Sequence, residues 1–202
     1  MSTPEYTYTT VNGVEVVILE VWWLTGLIHR TDGPAWREWQ VVDGRVVLTL
    51  EEWYLNGHRH RIDEPASREW GVVDGVVVST VESWYLNGQR HHIGGPAWQV
   101  WEEIDGQTIL IREQWYLNGQ LHRMDGPAWR EWHVIDGVVS LKFEMWYIKD
   151  TLIDPRILRQ PVRAIERWWQ YQQARRQEAI EEELWESGMT VFPGFMGLLR
   201  EY

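Results

Sequence analysis

At 202 residues, with 44% hydrophobic and 24% charged side chains, the chain has the composition of a folded protein, which excludes wholesale disorder. Its formal charge is −11, from 19 basic and 30 acidic residues, and that field opposes phosphate, so no direct DNA or RNA partner is expected. The absence of cysteine removes disulfides and thiolate chemistry, and no apolar run approaches the length of a membrane span.

The first residues, Met1 to Tyr6, lack a basic region followed by an apolar stretch, so no signal peptide is expected and a cytoplasmic or virion-associated location is. From there the text repeats. Trp22, Trp53, Trp84, Trp115 and Trp146 stand 31 residues apart without insertion or deletion. Asn12-Gly13 lies 31 residues before Asp43-Gly44, so residues 5–21 are a half unit. Units follow at 22–52, 53–83, 84–114 and 115–145, with a partial unit at 146–150. Terminal units that depart from the pattern suit caps on a stack. Residues 1–150 thus form one repeat domain and 151–202 a separate segment.

Each unit carries two hairpin signals. Asn56-Gly57 follows Trp-Tyr-Leu, and Asp43-Gly44 follows Val-Val; both dipeptides supply the positive φ that a type I′ turn needs at both central positions. Between them an 11-residue strand is expected, such as Arg45 to Leu55. The return from His58 to Val73 contains Asp-x-Pro, and proline cannot donate to a ladder, so Pro34, Pro65, Pro96 and Pro127 mark bulges or corners. Two strands per unit is the natural count. The fold class expected is mainly β: an elongated antiparallel meander of hairpin repeats that grows by about 9.6 Å per unit, single-layered or nearly so. A C-terminal helix and an apolar tail complete it.

Several rows invite chemistry. His29, His60, His91 and His122 share one slot, but neighbours about 9.6 Å apart cannot converge on one metal ion. Glu20, Glu51, Glu82, Glu113 and Glu144 form another row; catalysis needs one asymmetric constellation, whereas equivalent glutamates suit pairing with Arg30, Arg61 and Arg123 or with Arg37, Arg68 and Arg130. No Gly-rich phosphate loop, nucleophile elbow or metalloprotease helix is present, so no enzyme, cofactor or metal is expected. Trp36, Trp98 and Trp129 flank the Pro-Ala corner and are candidates for partner contact or for stacking on a glycan. Drift such as Ser67 for Trp, Glu64 for Gly and Gly94 for Asp implies units that differ in what they touch.

After Asp150 the repeat text stops. Pro161 suits a first helical position and Ser187-Gly188 a stop, which predicts a helix over 161–187 with Val162, Ile165, Trp169, Ile180 and Leu184 near one stripe. The tail Val191 to Leu199 is apolar. Trp168, Trp169, Phe192, Phe195 and Leu198 are therefore candidates for docking into a protein partner or another copy.

The run Tyr54-Leu55-Asn56-Gly57 with His60-Arg61, repeated from Tyr85 and Tyr116, resembles the MORN-type repeat, in the divergent form of bacterial antitoxin-like and of viral or phage proteins. The resemblance covers residues 5–150 and implies an open antiparallel meander that serves as a scaffold for protein contacts, in some members at a membrane. The unit here is longer, has a second hairpin and lacks the usual Gly after His; two lysines in the whole chain and an acidic repeat region disfavour anionic lipid. A non-enzymatic structural or scaffold protein, of viral or phage type, is the leading expectation. An acidic antitoxin-like inhibitor of a basic target is the alternative, and a glycan-binding module the second.

Overall fold

The computed structural model of the chain describes residues 1–154. The helix expected over 161–187 and the tail, with Trp168, Trp169, Phe192, Phe195 and Leu198, lie outside the described residues.

The half unit is β1 (Thr3–Val11) with β2 (Val14–Leu24), and β3 (Leu27–Ile28) returns from the turn at Thr25-Gly26. The next stretch holds β4 (Trp36–Val42), β5 (Arg45–Glu52), β6 (Tyr54–Leu55) and β7 (His58–Arg59). The third holds β8 (Ser67–Val73), β9 (Val76–Ser83), β10 (Tyr85–Leu86) and β11 (Gln89–Arg90). The fourth holds β12 (Trp98–Ile104), β13 (Gln107–Gln114), β14 (Tyr116–Leu117) and β15 (Gln120–Leu121). Last come β16 (Trp129–Ile135), β17 (Val138–Met145), β18 (Tyr147–Ile148) and β19 (Thr151–Leu152).

The long strands follow one another in chain order across one antiparallel sheet, β1-β2-β4-β5-β8-β9-β12-β13-β16-β17, with β3 added beside β2. Local turn chemistry builds it. Asp43 and Gly44 have φ of 50° and 73°, and Asn56 and Gly57 have 50° and 79°, the left-handed pair that matches the twist of a hairpin.

The 11-residue strand expected from Arg45 to Leu55 is divided: β5 ends at Glu52 and β6 begins at Tyr54. The backbone of Trp53 is the reason. Its N–H donates to Ala66 O at 2.8 Å, within the long sheet, while its own C=O accepts from His60 N–H at 3.0 Å, within the short hairpin. Trp22, Trp84 and Trp115 do the same with Ala35 and His29, Ala97 and His91, and Ala128 and His122. Each unit therefore contributes two long and two short strands, rather than two in all, and the tryptophan is the pivot between them.

The short hairpins form a second ladder from unit to unit. Arg30 N–H donates to Tyr54 O at 3.1 Å and Gly57 N–H to Ile28 O at 2.8 Å; Arg61 with Tyr85, and Gly88 with Arg59, repeat the pattern. Between the ladders the chain turns a corner at the prolines. Ala35, Ala66, Ala97 and Ala128 sit in these corners with 0% exposure. The repeat geometry runs on to Ile153, whose N–H donates to Trp146 O at 2.8 Å in the slot of the histidines.

Each long hairpin contains a β-bulge, which in β4, β12 and β16 falls just before Trp39, Trp101 and Trp132. In β8 it is displaced by two residues to Gly71/Val72. A Cβ on Gly71 would collide with Ser79 Oγ, so glycine is what lets the strands stay close up to that point. The seam that follows is longer: β9 and β12 are paired at five positions, against three at each other seam between units.

The core is thin. The buried apolar set is the four corner alanines with Val21, Trp84, Val100 and Ile111, while the hairpin tips expose Val41, Val76 and Val138. Since the corners have no spare volume, Ala97→Leu is expected to destabilise the chain by about 1–3 kcal/mol. Val76→Thr, at an exposed tip, is expected to stay within about 0.5 kcal/mol of the parent. Urea unfolding followed by tryptophan fluorescence measures both.

Candidate functional site

The residues that recur at each turn of the repeat are brought together in rows across the sheet, because strand neighbours place equivalent positions side by side. One row reads Glu20, Arg37, Glu51, Arg68, Glu82, Gln99, Glu113, Arg130, Glu144, each directly opposite the next. Its contacts include Arg37 to Glu20 at 3.0 Å, Arg68 to Glu82 at 3.1 Å and Arg130 to Glu113 at 3.2 Å. Where Gln99 interrupts the alternation, Glu82 and Glu113 still have Arg68 and Arg130. Each of the five glutamates thus pairs with one of Arg37, Arg68 and Arg130.

The second set of arginines, Arg30, Arg61 and Arg123, caps the pivots. Their guanidinium carbons stand 4.0, 3.9 and 3.8 Å over the rings of Trp22, Trp53 and Trp115. Such contacts contribute about 0.5–1 kcal/mol at partly exposed sites. Arg30 also donates to Asp32 at 2.9 Å and to Pro34 O at 3.3 Å, closing the corner.

The drift between units is compensated inside each unit. A Cβ on Gly33 would come within 3.0 Å of Arg30 Cζ; in the next unit Glu64 fills that position, and Arg61 pairs with it at 2.6 Å. In the third unit His92 replaces the arginine, stacks on Trp84 with centroids 4.9 Å apart and planes 3° from parallel, and donates from Nδ1 to Pro96 O at 2.8 Å. The Asp slot there is Gly94, at φ 83°.

The opposite side of the strands carries the candidate tryptophans. Trp36, Glu52, Ser67, Ser83, Trp98, Gln114, Trp129 and Met145 form one cross-strand row. All three tryptophans are half-buried, and part of each surface is used internally. Trp36 donates to Glu38 at 2.7 Å, Trp98 has Arg90 at 5.9 Å from its ring, and Trp129 meets Phe143 edge-on at 5.5 Å.

Ser67 in place of tryptophan makes room for an asymmetric cluster; a second lies at Glu131, 8% exposed, which pairs with Arg112 at 3.3 Å and Lys142 at 2.5 Å. Glu52, only 4% exposed, accepts from Arg59 at 2.6 Å, from Tyr54 OH at 2.8 Å and from Ser67 Oγ at 3.2 Å. Burial, followed by the neighbouring Glu52 carboxylate, pushes the Tyr54 phenol up to about 12, so it stays a hydrogen-bond donor near neutral pH. Sequence reasoning passed over Glu52. The signal was its column, Val21, Glu52, Ser83, Gln114 and Met145, in which it is the one acid, opposite the one Trp-to-Ser exchange.

The histidines act between units. The Nδ1 atoms of His29, His60 and His91 lie 3.1, 3.3 and 3.2 Å from the backbone nitrogens of Asn56, Asn87 and Asn118, and 2.9, 2.8 and 2.9 Å from the side-chain oxygens of the same asparagines. Lys149 replaces the asparagine at the last repeat, where its N–H donates to His122 Nδ1 at 3.3 Å. Among the described residues no three His, Asp or Glu are grouped to hold a metal ion. The hollow between the first two units is lined by Arg30, Arg37, Trp53 and Arg61, and the ring face of Trp53 is already covered by Arg61.

Compared with known protein families, curated proteins and solved structures, the chain matches none.

His122 makes folding sensitive to acid. It is 7% exposed with Nε2 buried, and desolvation, with the Lys149 charge second, holds its pKa below the ordinary 6.5. The unfolded chain then binds the proton more readily, so stability is full above 6.5 and is lost as pH falls from there toward the depressed value. Urea midpoints at about pH 7.5 and about pH 5 are expected to differ more for the parent than for His122→Gln. Equal slopes in the two proteins would refute the assignment.

Proposed function

We propose that the chain is a non-enzymatic scaffold of MORN type, in which the repeat sheet holds a protein partner at a set position and the segment after residue 154 supplies an attachment device. The observation that carries this reading is the fate of the polar groups. The Glu–Arg row, the Arg-capped tryptophans and the His–Asn contacts bond to one another, unit after unit, so they support the sheet's own stiffness rather than chemistry on a bound molecule. The asymmetric clusters at Glu52 and Glu131 are likewise occupied from within, by Arg59, Tyr54 and Ser67 and by Arg112 and Lys142. What the sheet offers outward is its exposed tips and edges. The setting suggested by the resemblance is a structural or accessory protein of a virus or phage.

A second reading has support of its own in charge. Residues 151–202 hold 7 Arg and 8 acidic residues, which leaves −10 of the −11 on residues 1–150, a field suited to an acidic inhibitor of a basic target. Such steering is screened within about 10 Å at 0.1 M salt.

Affinity purification of the full chain at native expression, followed by mass spectrometry, separates the two. A scaffold contact is expected to survive a wash at about 0.5 M salt; one driven by the acidic field is expected to dissociate. Removing residues 188–202 is expected to abolish the complex while the far-ultraviolet spectrum of the sheet is kept. A complex that persists without those residues would overturn the attachment role of the tail.

A further inference from the structure

We propose that copies of this chain associate head to tail, with β17 of one copy pairing with β1 of the next. The proposal goes beyond the scaffold reading and does not need it, since a chain that bound a different protein could remain a monomer.

The two ends of the sheet are related by the operation that builds its interior. Shifting β1 by 31 residues lays Thr3–Val11 on Pro34–Val42, so β1 is the counterpart of β4, β8, β12 and β16. Inside the sheet, strands of that kind follow β2, β5, β9 and β13. After β17 the 31-residue text is not continued: the counterpart of Ala35 and Ala128 is residue 159, where Ile-Leu-Arg-Gln stands instead of Gly-Pro-Ala-Trp. Among the described residues β17 pairs with β16 alone and β1 with β2 alone. Ten alternating strands also leave β17 antiparallel to an incoming β1.

The register can be read from an interior seam. Leu50, Glu51 and Glu52 face Glu69, Arg68 and Ser67, which places Phe143 opposite Thr7, Glu144 opposite Tyr6, and Met145 opposite Glu5 of the next copy. Trp146 N–H, counterpart of Trp53 N–H, then meets Pro4 O, whose lack of an N–H is no obstacle because that position accepts. The charged row continues as Arg130, Glu144, Tyr6, Glu20, Arg37, with a phenol between two carboxylates and no two acids in contact.

Two features of the leading end fit an incoming strand. Beyond Pro4 and Glu5 at its start, β1 has no charge, proline or glycine from Tyr6 to Val11, and Tyr6 and Tyr8 are 40% and 49% exposed. In the short ladder, Leu27, His58 and Gln89 rest on Gly57, Gly88 and Gly119 of the following unit, while Gly26 has nothing within 4 Å. Thr151 of a preceding copy occupies that place. A symmetric β1-to-β1 pair would extend the long sheet alone; the head-to-tail pair extends both ladders, and it repeats without closing.

The chain has no cysteine, so the seam can be tested by disulfide formation. Met145 and Glu5 lie one position from the bonded Trp146–Pro4 pair, at the close non-hydrogen-bonded spacing. Full-length Glu5→Cys and Met145→Cys proteins, mixed under mild oxidation, are expected to give the mixed disulfide in excess over either homodimer. The parent chain is expected to show a sedimentation coefficient that rises from about 1 to about 100 µM without a plateau at dimer. A Glu5→Cys homodisulfide as the main product would overturn the proposal in favour of a β1-to-β1 dimer. A parent mass that stays monomeric over that range overturns it whatever the variants do.

Discussion

The fold depends on what the backbone of one tryptophan does in each unit. Trp53 gives its N–H to Ala66 on one ladder and takes the N–H of His60 on the other. A single residue thus belongs to two hydrogen-bonded systems, and the chain changes partner without leaving a buried polar group unpaired. The indole is then held by the arginine eight residues later, at 3.9 Å for Trp53 and Arg61, so side chain and backbone fix the same corner. Alanine opposite the pivot is what permits the approach: it is fully buried in all four complete corners. This explains why tryptophan is so abundant in a protein with little core. Its work is done at pivots and in rows, where a large flat side chain covers the long antiparallel sheet from the side.

Charge is organised by the same repetition. An isolated surface pair contributes little, about 0–1 kcal/mol. Here Glu20 meets Arg37 at 3.0 Å and Arg30 at 3.9 Å, and Glu113 meets Arg130 at 3.2 Å and Arg123 at 3.9 Å, so these two acids have cations from a neighbouring strand and from the corner. Arginine suits both duties because its planar head bonds a carboxylate and stacks on an indole. The second unit departs from the rule. Ser67 removes a tryptophan and Glu52 with Arg59 fills the space, an exchange of apolar area for a buried, fully bonded acid.

What the sequence made legible was whatever is encoded locally. Asn56-Gly57 and Asp43-Gly44 announced their turns, the spacing of the tryptophans announced the unit, and consecutive strands did become neighbours. The break at Trp53 was hidden, because alternation in Arg45 to Leu55 runs through it unchanged; the partner switch is a fact of two ladders, not of one strand. The bond from His60 to Asn87 was hidden for a related reason: it spans 27 residues and exists only once the short hairpins stack. Drift at Glu64 was visible as departure but not as compensation, since Arg61 had first to be placed beside it, and the exchange to His92 gained meaning only once Trp84 lay under its ring. Gly71 showed only as a glycine within a strand. Its consequence, a displaced bulge and a longer seam, belongs to the pairing.

A sheet built this way has no central core whose loss would unfold it at once. Each unit touches the one before and the one after, so stability is a sum of unit terms and seam terms. The seams are unequal: β9 and β12 share five paired positions where the others share three, which makes the middle of the sheet its firmest part. The last seam is the opposite case. Lys149 and Asp150 stand where the three preceding turns have asparagine and glycine, both at positive φ, and His122 there lacks the asparagine side chain its counterparts face. Strain and acid sensitivity are therefore concentrated at the end of the ladder where repetition stops, while the interior, where every unit has two neighbours, carries the regular contacts.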